Sequence, residues 1–209
     1  RDGARNARAV YLFQNGGRVW EQPARLTPDP PQEQGRFGSA LAMDGEILAA
    51  GAPYEYNPGA GNASGAVYLF TRQRQNWELV ERLTVEGGRP FDLFGSSLAL
   101  QEHDLAASGR GFDGPAGQRD SGAVFLFRLE RGTWRVQTRL SGEAAFDHFG
   151  HALAFAGEQL LVSSPDATVS QVAGAGQISI FQQTADGWSG PTLLTASPPR
   201  YRSHFGSDL

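Results

Sequence analysis

The side chains best suited to chemistry in this sequence are its histidines and the acids beside them. His148 and His151 lie three positions apart, with Asp147 adjacent. Residues three apart on a strand point to opposite faces, so this pair needs a backbone bend to share a metal ion. His148 and His204 each directly precede a Phe-Gly pair, a position that varies between copies of the pattern. A variable polar loop position is therefore the preferred interpretation, and no metal site is expected.

A second candidate is an acid two residues before Phe-Gly, at Asp92 and Asp147. A catalytic carboxylate is expected once in a chain, whereas this acid recurs. Asp side chains commonly accept hydrogen bonds from backbone N–H groups in turns. We therefore interpret these acids as turn caps in front of a strand.

The loop 110–120 has the oxygen content for a weak cation site, but a solvated Asp- and Gly-rich loop is the preferred interpretation. The sequence has no Gly-x-Ser-x-Gly motif, no phosphate-binding loop and no nucleophile–base pair. It has no Cys, which excludes disulfides, thiolate metal sites and a Cys nucleophile. We expect no enzymatic activity, no metal and no cofactor.

Charge and hydrophobicity exclude some classes of partner and one class of membrane attachment. The 209 residues carry a net charge of -4, so no basic face is available to neutralise phosphates, and nucleic acid is excluded. No run of 18 apolar residues predicts a transmembrane helix. The chain opens on Arg1 without Met, which indicates a processed start.

The scaffold is a fourfold repeat. Each copy carries an apolar run, a Trp and a Leu in steps of 57, 57 and 54 residues, and a Phe-Gly pair follows each. The tryptophans that mark the copies are Trp20, Trp77, Trp134 and Trp188. A fixed period of this length with four β-like segments is typical of propeller blades. The sequence therefore predicts an all-β fold, a β-propeller of four-stranded blades.

The second copy shows the unit most clearly. It predicts strands over residues 39–43, 46–50, 65–71 and 77–84, with Asp44-Gly45 as a two-residue hairpin turn. Pro53 ends the second strand because proline cannot donate to a sheet. The first strand is rich in small residues, which suit the crowded inner edge of a blade, and the third is bulkier.

Phe37-Gly38, then Gly51-Ala52-Pro53, then the run 65–70 resemble the FG-GAP repeat family, which includes the integrin α-subunit propellers. The resemblance implies a propeller, usually of seven blades, that works by binding outside the cytoplasm. In integrin-like members a calcium loop lies between the FG and GAP strands. Here that connection is a short turn with at most one acid, so the chain resembles the calcium-free bacterial branch.

The register of the repeats predicts one propeller segment over residues 1–209, of about 3.5 to 4 blades. Its repeats span residues 1–36 in part, 37–93, 94–148, 149–204 and 205–209 in part. We expect these residues to belong to a larger ring. The alternative is that a partner chain completes the sheet at an open edge.

Long, varied loops after the second strands share one end of the blades, which is the usual geometry of a recognition surface. Tyr54, Tyr56, Arg110 and Phe112 are the residues expected to touch a partner, because aromatic and Arg side chains dominate interfaces. The first hypothesis is a non-catalytic scaffold that binds a protein, either extracellular, on the cell surface or in the periplasm. The alternatives are an accessory subunit of a larger, membrane-attached assembly and a carbohydrate-binding, lectin-like propeller.

Overall fold

The computed structural model describes residues 8–17, 19–31, 34–74 and 76–209. The first seven residues of the partial first repeat, and position 75 in the predicted turn of the second copy, lie outside the described residues. The described chain is built from strands and loops. The strands are β1 (Val10–Asn15), β2 (Trp20–Leu26), β3 (Leu41–Asp44), β4 (Ile47–Ala52), β5 (Ala66–Gln73), β6 (Asn76–Leu83), β7 (Leu98–Gln101), β8 (Asp104–Gly109), β9 (Ala123–Glu130), β10 (Thr133–Ser141), β11 (Leu153–Ala156), β12 (Gln159–Ser164), β13 (Gln177–Thr184) and β14 (Gly187–Thr195).

The strands form three four-stranded antiparallel sheets and one two-stranded hairpin. The first blade is β3–β6, the second β7–β10 and the third β11–β14, each paired in chain order. The inner strands β3, β7 and β11 lie next to one another, and the hairpin β1–β2 packs on the first blade. The chain is thus an all-β array of β-propeller blades, as the repeat predicts.

One register is repeated in every outer hairpin. Val67 faces Leu83 in the first blade, and the same positions pair in the second blade, the third blade and the hairpin β1–β2. A shift of one residue would turn the whole apolar set to the other face of the sheet. The common register therefore presents equivalent side chains to every interface between neighbouring blades.

The Phe-Gly pair joins one blade to the next. Phe94 is buried, and its N–H donates to Ser64 O of the preceding blade at 3.1 Å. The N–H of Gly95 donates instead to Ser108 O of its own blade at 2.8 Å. The ring fills the space between blades, and the Gly supplies the positive φ of 88° that redirects the chain.

A glycine ahead of each third strand fits against this junction. A Cβ atom on Gly65 would meet Phe94 O at 2.2 Å, and Gly122 and Gly176 stand equally close to Phe149 O and Phe205 O. Only a residue without a side chain tolerates this approach of two backbones. The glycine of one repeat and the Phe-Gly of the next therefore form one contact.

Two details of the predicted unit can be compared with the structure. Strand β4 ends at Ala52, directly before Pro53, as predicted. The first hairpin turn is shifted by one residue, because Asp44 is still paired, with Ile47, and the turn residues are Gly45 and Glu46. The Asp44 carboxylate instead accepts a hydrogen bond from the N–H of Glu102 in the second blade, at 2.5 Å.

The apolar faces at the two ends of the array are open. Leu83 is 6% exposed because the second blade covers it, whereas the equivalent Leu194 of the third blade is 47% exposed. At the other end, Tyr11, Phe13 and Trp20 of the hairpin β1–β2 are exposed. A blade buries both of its faces only between two neighbours, which is the general behaviour of stacked repeats.

Candidate functional site

The loops after the second strands meet the segments that precede Phe-Gly, and together they form the loop face, residues 53–64 and 110–121 with 34–36, 91–93 and 146–148. The N–H of Phe91 donates to Asn62 O at 2.9 Å, and the N–H of Phe146 donates to Arg119 O at 3.0 Å. Each long loop is therefore fixed to the start of the following blade. The loop face is therefore held in place on the blades by backbone hydrogen bonds.

An open groove of about 640 Å³ lies on this face where the first blade begins. The name aromatic groove is used here for its lining, which comprises Arg8, Gln34, Arg36, Tyr54, Tyr56, Asn62, Ala63 and Phe91. The guanidinium of Arg36 stacks 3.9 Å from the ring centroid of Tyr54. Tyr56 is 52% exposed and Phe91 is 65% exposed, so two large rings stand in solvent beside a cation. Tyr54 and Tyr56, two of the residues expected to touch a partner, thus both line this groove.

The backbone that carries Phe91 is strained. Phe91 has φ 70°, and the equivalent Phe146 has φ 65°. A bulky residue in the left-handed region is uncommon and costs on the order of 1–3 kcal/mol. Strain of this kind persists where surrounding contacts impose it, and here it holds an exposed ring at the same position in two repeats.

Phe112 lies within the loop 110–121, but its side chain does not reach the surface of the loop face. Its side chain is only 5% exposed, and its ring centroid lies 5.1 Å from that of Phe125 in the interface between the first two blades. The guanidinium of Arg139 covers it at 5.4 Å. The expectation that Phe112 touches a partner therefore fails on burial, because the loop folds back and packs this ring in the core.

Arg110 is half-buried and lies near His151 of the third blade. Burial, together with the positive charge of Arg110, lowers the pKa of His151. Arg110 does not line the aromatic groove, which lies at the start of the first blade. The structure therefore separates this predicted contact residue from the two tyrosines.

A buried carboxylate escaped sequence analysis. Glu55 is 1% exposed, and its oxygens accept hydrogen bonds from Tyr68 Oη at 2.8 Å and from Arg82 Nε at 2.8 Å. Burial and the charge of Glu55 both raise the pKa of Tyr68. This network anchors the base of the loop on which Tyr54 and Tyr56 stand. No sequence motif signals it, since the equivalent residue in the second blade is Phe112.

The two histidines before Phe-Gly are joined by one acid. Asp166 lies with Oδ2 2.7 Å from Nδ1 of His148 and with Oδ1 3.1 Å from Nδ1 of His204. The signal in the sequence was their shared place in successive repeats. Within the described ranges, no group of three or more His, Cys, Asp or Glu side chains is arranged to hold a metal.

Two other candidate acids, Asp92 and Asp113, have structural partners. Asp92 is buried, and its carboxylate accepts a hydrogen bond from the N–H of Arg89, which is the predicted turn cap. Burial raises the pKa of Asp92 to about 6. In the loop 110–120, Asp113 lies 3.3 Å from the guanidinium of Arg89 and accepts a hydrogen bond from the N–H of Asp120 at 3.2 Å. These contacts use the oxygens that a cation would require.

Comparison with known proteins supports the repeat. Residues 20–70 match the family described as FG-GAP repeat. No curated protein matches the chain. A solved structure titled "Europium-containing methanol dehydrogenase" aligns over 77% of this chain and 26% of its own, with a TM-score of 0.46 and 10% identity. The chain thus spans about a quarter of that protein, and the likeness is too low to carry an argument. The described part of the chain contains no helix long and apolar enough to cross a membrane.

Proposed function

Since residues 20–70 are an FG-GAP repeat, we propose that the chain is a non-catalytic propeller scaffold that binds a protein partner through the aromatic groove. We place this binding outside the cytoplasm, where proteins with such repeats usually act. The observation that carries the proposal is the pair of exposed rings, Tyr56 and Phe91, beside the cation of Arg36.

The composition of the groove supports a protein partner. Tyrosine and arginine are enriched among the residues that dominate binding energy at protein interfaces. Exposed aromatic rings gathered in one place are unusual on a soluble surface and mark interaction sites. The stacking of Arg36 on Tyr54 positions the guanidinium before a partner arrives, which lowers the entropy lost on binding.

The non-catalytic part of the proposal is supported by two carboxylates that guanidinium groups engage. Glu55 is neutralised by Arg82, and Asp104 forms a bidentate pair with Arg128 at 2.8 Å. Catalytic acids and bases need a free lone pair or proton directed at a substrate. Carboxylates tied to guanidinium groups serve the fold instead.

A carbohydrate ligand is the second candidate. Phe91 and Phe146 are exposed at equivalent positions of two blades, and a lectin is expected to repeat an aromatic platform in this way. The two hypotheses differ in their use of these rings. A protein partner in the aromatic groove needs Phe91 alone, whereas a sugar-binding repeat needs both.

The test compares three forms of the chain as bait, followed by mass spectrometry of proteins captured from the extracytoplasmic fraction of the source cells. The forms are the wild type, Tyr56→Ala with Phe91→Ala, and the single control Phe146→Ala. We expect a protein retained by the wild type and by the control, and lost with the double variant. Identical capture by all three forms would refute the aromatic groove as the binding site. Binding on a glycan array that falls with both Phe91→Ala and Phe146→Ala would establish the lectin hypothesis instead.

A further inference from the structure

Each interface between neighbouring blades has three equivalent positions that fill the same space. They are the loop residue three positions after the second strand, a residue of the third strand, and its cross-strand partner in the outer strand. In the first blade these are Glu55, Tyr68 and Arg82, and the Tyr68 ring is fully buried. In all three blades the N–H of the loop residue donates to the last carbonyl of the second strand, so the positions are structurally equivalent.

The second blade fills the same space with apolar rings. Phe125 replaces Tyr68, and it pairs across the hairpin with Arg139. Phe112 takes the loop position, and both phenylalanines are buried. Two blades thus place an aromatic ring between themselves and the preceding unit, and an arginine covers that ring.

The third blade has small residues instead. Ser179 occupies the position of the ring and Ala167 the loop position, and Ser179 faces Leu193 across the hairpin. A cavity of about 430 Å³ lies here, between β10 of the second blade and β13–β14 of the third. The cavity lies at this interface because Ser179 has no aromatic ring to fill the space.

The walls of this cavity define what could enter it. Leu140 and Phe149 line one side, and Phe181 and Leu193 line the other. The volume falls in the range of about 300–1,000 Å³ that ligand sites occupy. Five of the thirteen lining residues are apolar and seven are polar or charged. The apolar side chains can cover a ring-shaped guest, because burying such a ring removes a large apolar surface from water, and the polar side chains can bind a substituent on that ring.

Two acids line the cavity, of which Glu143 is exposed and Asp147 is half-buried, so Asp147 is the acid better placed to meet a guest. The carboxyl group of Asp147 lines it, and burial, followed by the charge of Asp166, raises the pKa of Asp147 to about 6. The Arg139 guanidinium, at the mouth, donates to the backbone oxygen of Asp113 at 2.8 Å. A hydroxyl on the guest can therefore donate to Asp147, in the way that Tyr68 donates to Glu55 in the first blade.

We propose that the cavity between the second and third blades is a binding site for a small phenolic molecule, whose ring takes the place of the side chain missing at Ser179 and whose hydroxyl donates to Asp147. This site is separate from the aromatic groove and does not depend on the proposed partner. Its lining belongs to the second and third blades, whereas the groove lies at the start of the first.

The probe is p-cresol, which is the side chain of tyrosine, and toluene is the same ring without the hydroxyl. Isothermal titration and ligand-observed NMR on the full chain measure both. We expect p-cresol to bind the wild type in the millimolar range or tighter and more strongly than toluene. A wild type that binds neither probe overturns the proposal.

The decisive variant is Ser179→Tyr, which restores the residue of the first blade. It should raise the melting temperature and abolish p-cresol binding, because its own ring occupies the cavity. Ser141→Tyr fills the cavity from the opposite wall and serves if the first variant fails to fold. Ser189→Tyr, at an exposed position of β14, is the matched control and should bind p-cresol as the wild type does.

The role of the acid is tested by Asp147→Asn. We expect p-cresol binding to weaken by about fivefold, because the neutral amide oxygen of Asn still accepts the hydrogen bond but more weakly than a carboxylate does. Toluene binding should be unchanged, because that probe makes no such bond. Unaltered p-cresol affinity in Asp147→Asn, or in Ser179→Tyr, overturns the proposed pose.

Discussion

Replacing Arg82 by Met tests whether the buried acid of the first blade depends on its cation. Arg82 donates to Glu55 through Nε at 2.8 Å and through Nη2 at 2.5 Å, and it also contacts Asn57. Met keeps most of the apolar stem, so the change removes the charge and the donors while retaining packing. It leaves a carboxylate that is 1% exposed with Tyr68 as its remaining side-chain donor.

The cost follows from the asymmetry of buried ion pairs. Removing one partner leaves an uncompensated charge and costs about 3–5 kcal/mol. Arg82 keeps 31% of its side-chain surface exposed, so water at the site places the expected loss near the lower end, about 3 kcal/mol. For a domain of this size, that corresponds to a fall in melting temperature of about 6–12 °C.

Urea denaturation followed by Trp fluorescence measures this loss at pH 7. The matched control is Arg128→Met, because Arg128 also donates to one carboxylate, that of Asp104, through Nε and Nη2, and both side chains of this pair are partly exposed. The control should lose no more than about 1 kcal/mol. An Arg82→Met variant within about 1 kcal/mol of the wild type would refute the reasoning.

The second blade suggests an apolar replacement for the buried acid and its tyrosine partner in the first blade. Glu55→Phe combined with Tyr68→Phe transplants the pair Phe112 and Phe125, which the chain already packs beneath an arginine at the equivalent place. Buried ion pairs replaced by apolar groups of suitable shape lose little stability. The double variant should therefore lie within about 1.5 kcal/mol of the wild type.

Three further predictions concern other parts of the array. Gly65→Ala should cost well over about 1 kcal/mol in urea denaturation because its Cβ meets Phe94 O, whereas Gly87→Ala, which has φ 70° in open space, should cost only about 1 kcal/mol. Because the pKa of Asp147 is raised, the native state binds more protons than the unfolded state, so the stability attributable to Asp147 should fall as pH rises from 3.8 towards about 6. When the free energy of unfolding is measured across this pH range, its dependence on pH should be weaker in Asp147→Asn. A profile equal to that of the wild type would contradict this assignment. Phe112→Ala should lower the free energy of unfolding by about 3–5 kcal/mol, and a stable variant would show that the ring is not core.

The blades could be predicted because each repeat encodes the same register. The Val67–Leu83 pair recurs three more times, and the first three Phe-Gly pairs each precede the inner strand of a blade. The first hairpin turn was misplaced because Asp-Gly is a local signal, whereas strand pairing decides which residues turn. The positive φ falls on the first turn residue, which is Gly45 here and Glu102 in the second blade.

The candidate site was less accessible to prediction because it depends on contacts between repeats. Phe112 lies in a Gly- and Asp-rich loop, where the sequence favours an exposed ring. Its burial follows from a turn that also places Glu55 and Ala167 inward in the other two blades. The three residues occupy equivalent positions in the three blades, but their side chains are an acid, an aromatic ring and a methyl group. Phe91 is exposed, yet sequence analysis did not select it. Its equivalence to Phe146, at the same distance from Phe-Gly, was visible in the sequence.

The contact between Gly65 and Phe94 has a consequence for how such an array can grow by gene duplication. Each of these glycines contacts the Phe-Gly of the following copy. Every period therefore contributes a Phe-Gly to the junction with the copy before it and a glycine to the junction with the copy after it. A duplicated segment one whole period long supplies a matching half at both ends, wherever in the period the breakpoints fall. A segment of any other length leaves a glycine opposite a side chain. Whole periods are therefore the units that recombination can add to this scaffold without breaking a junction.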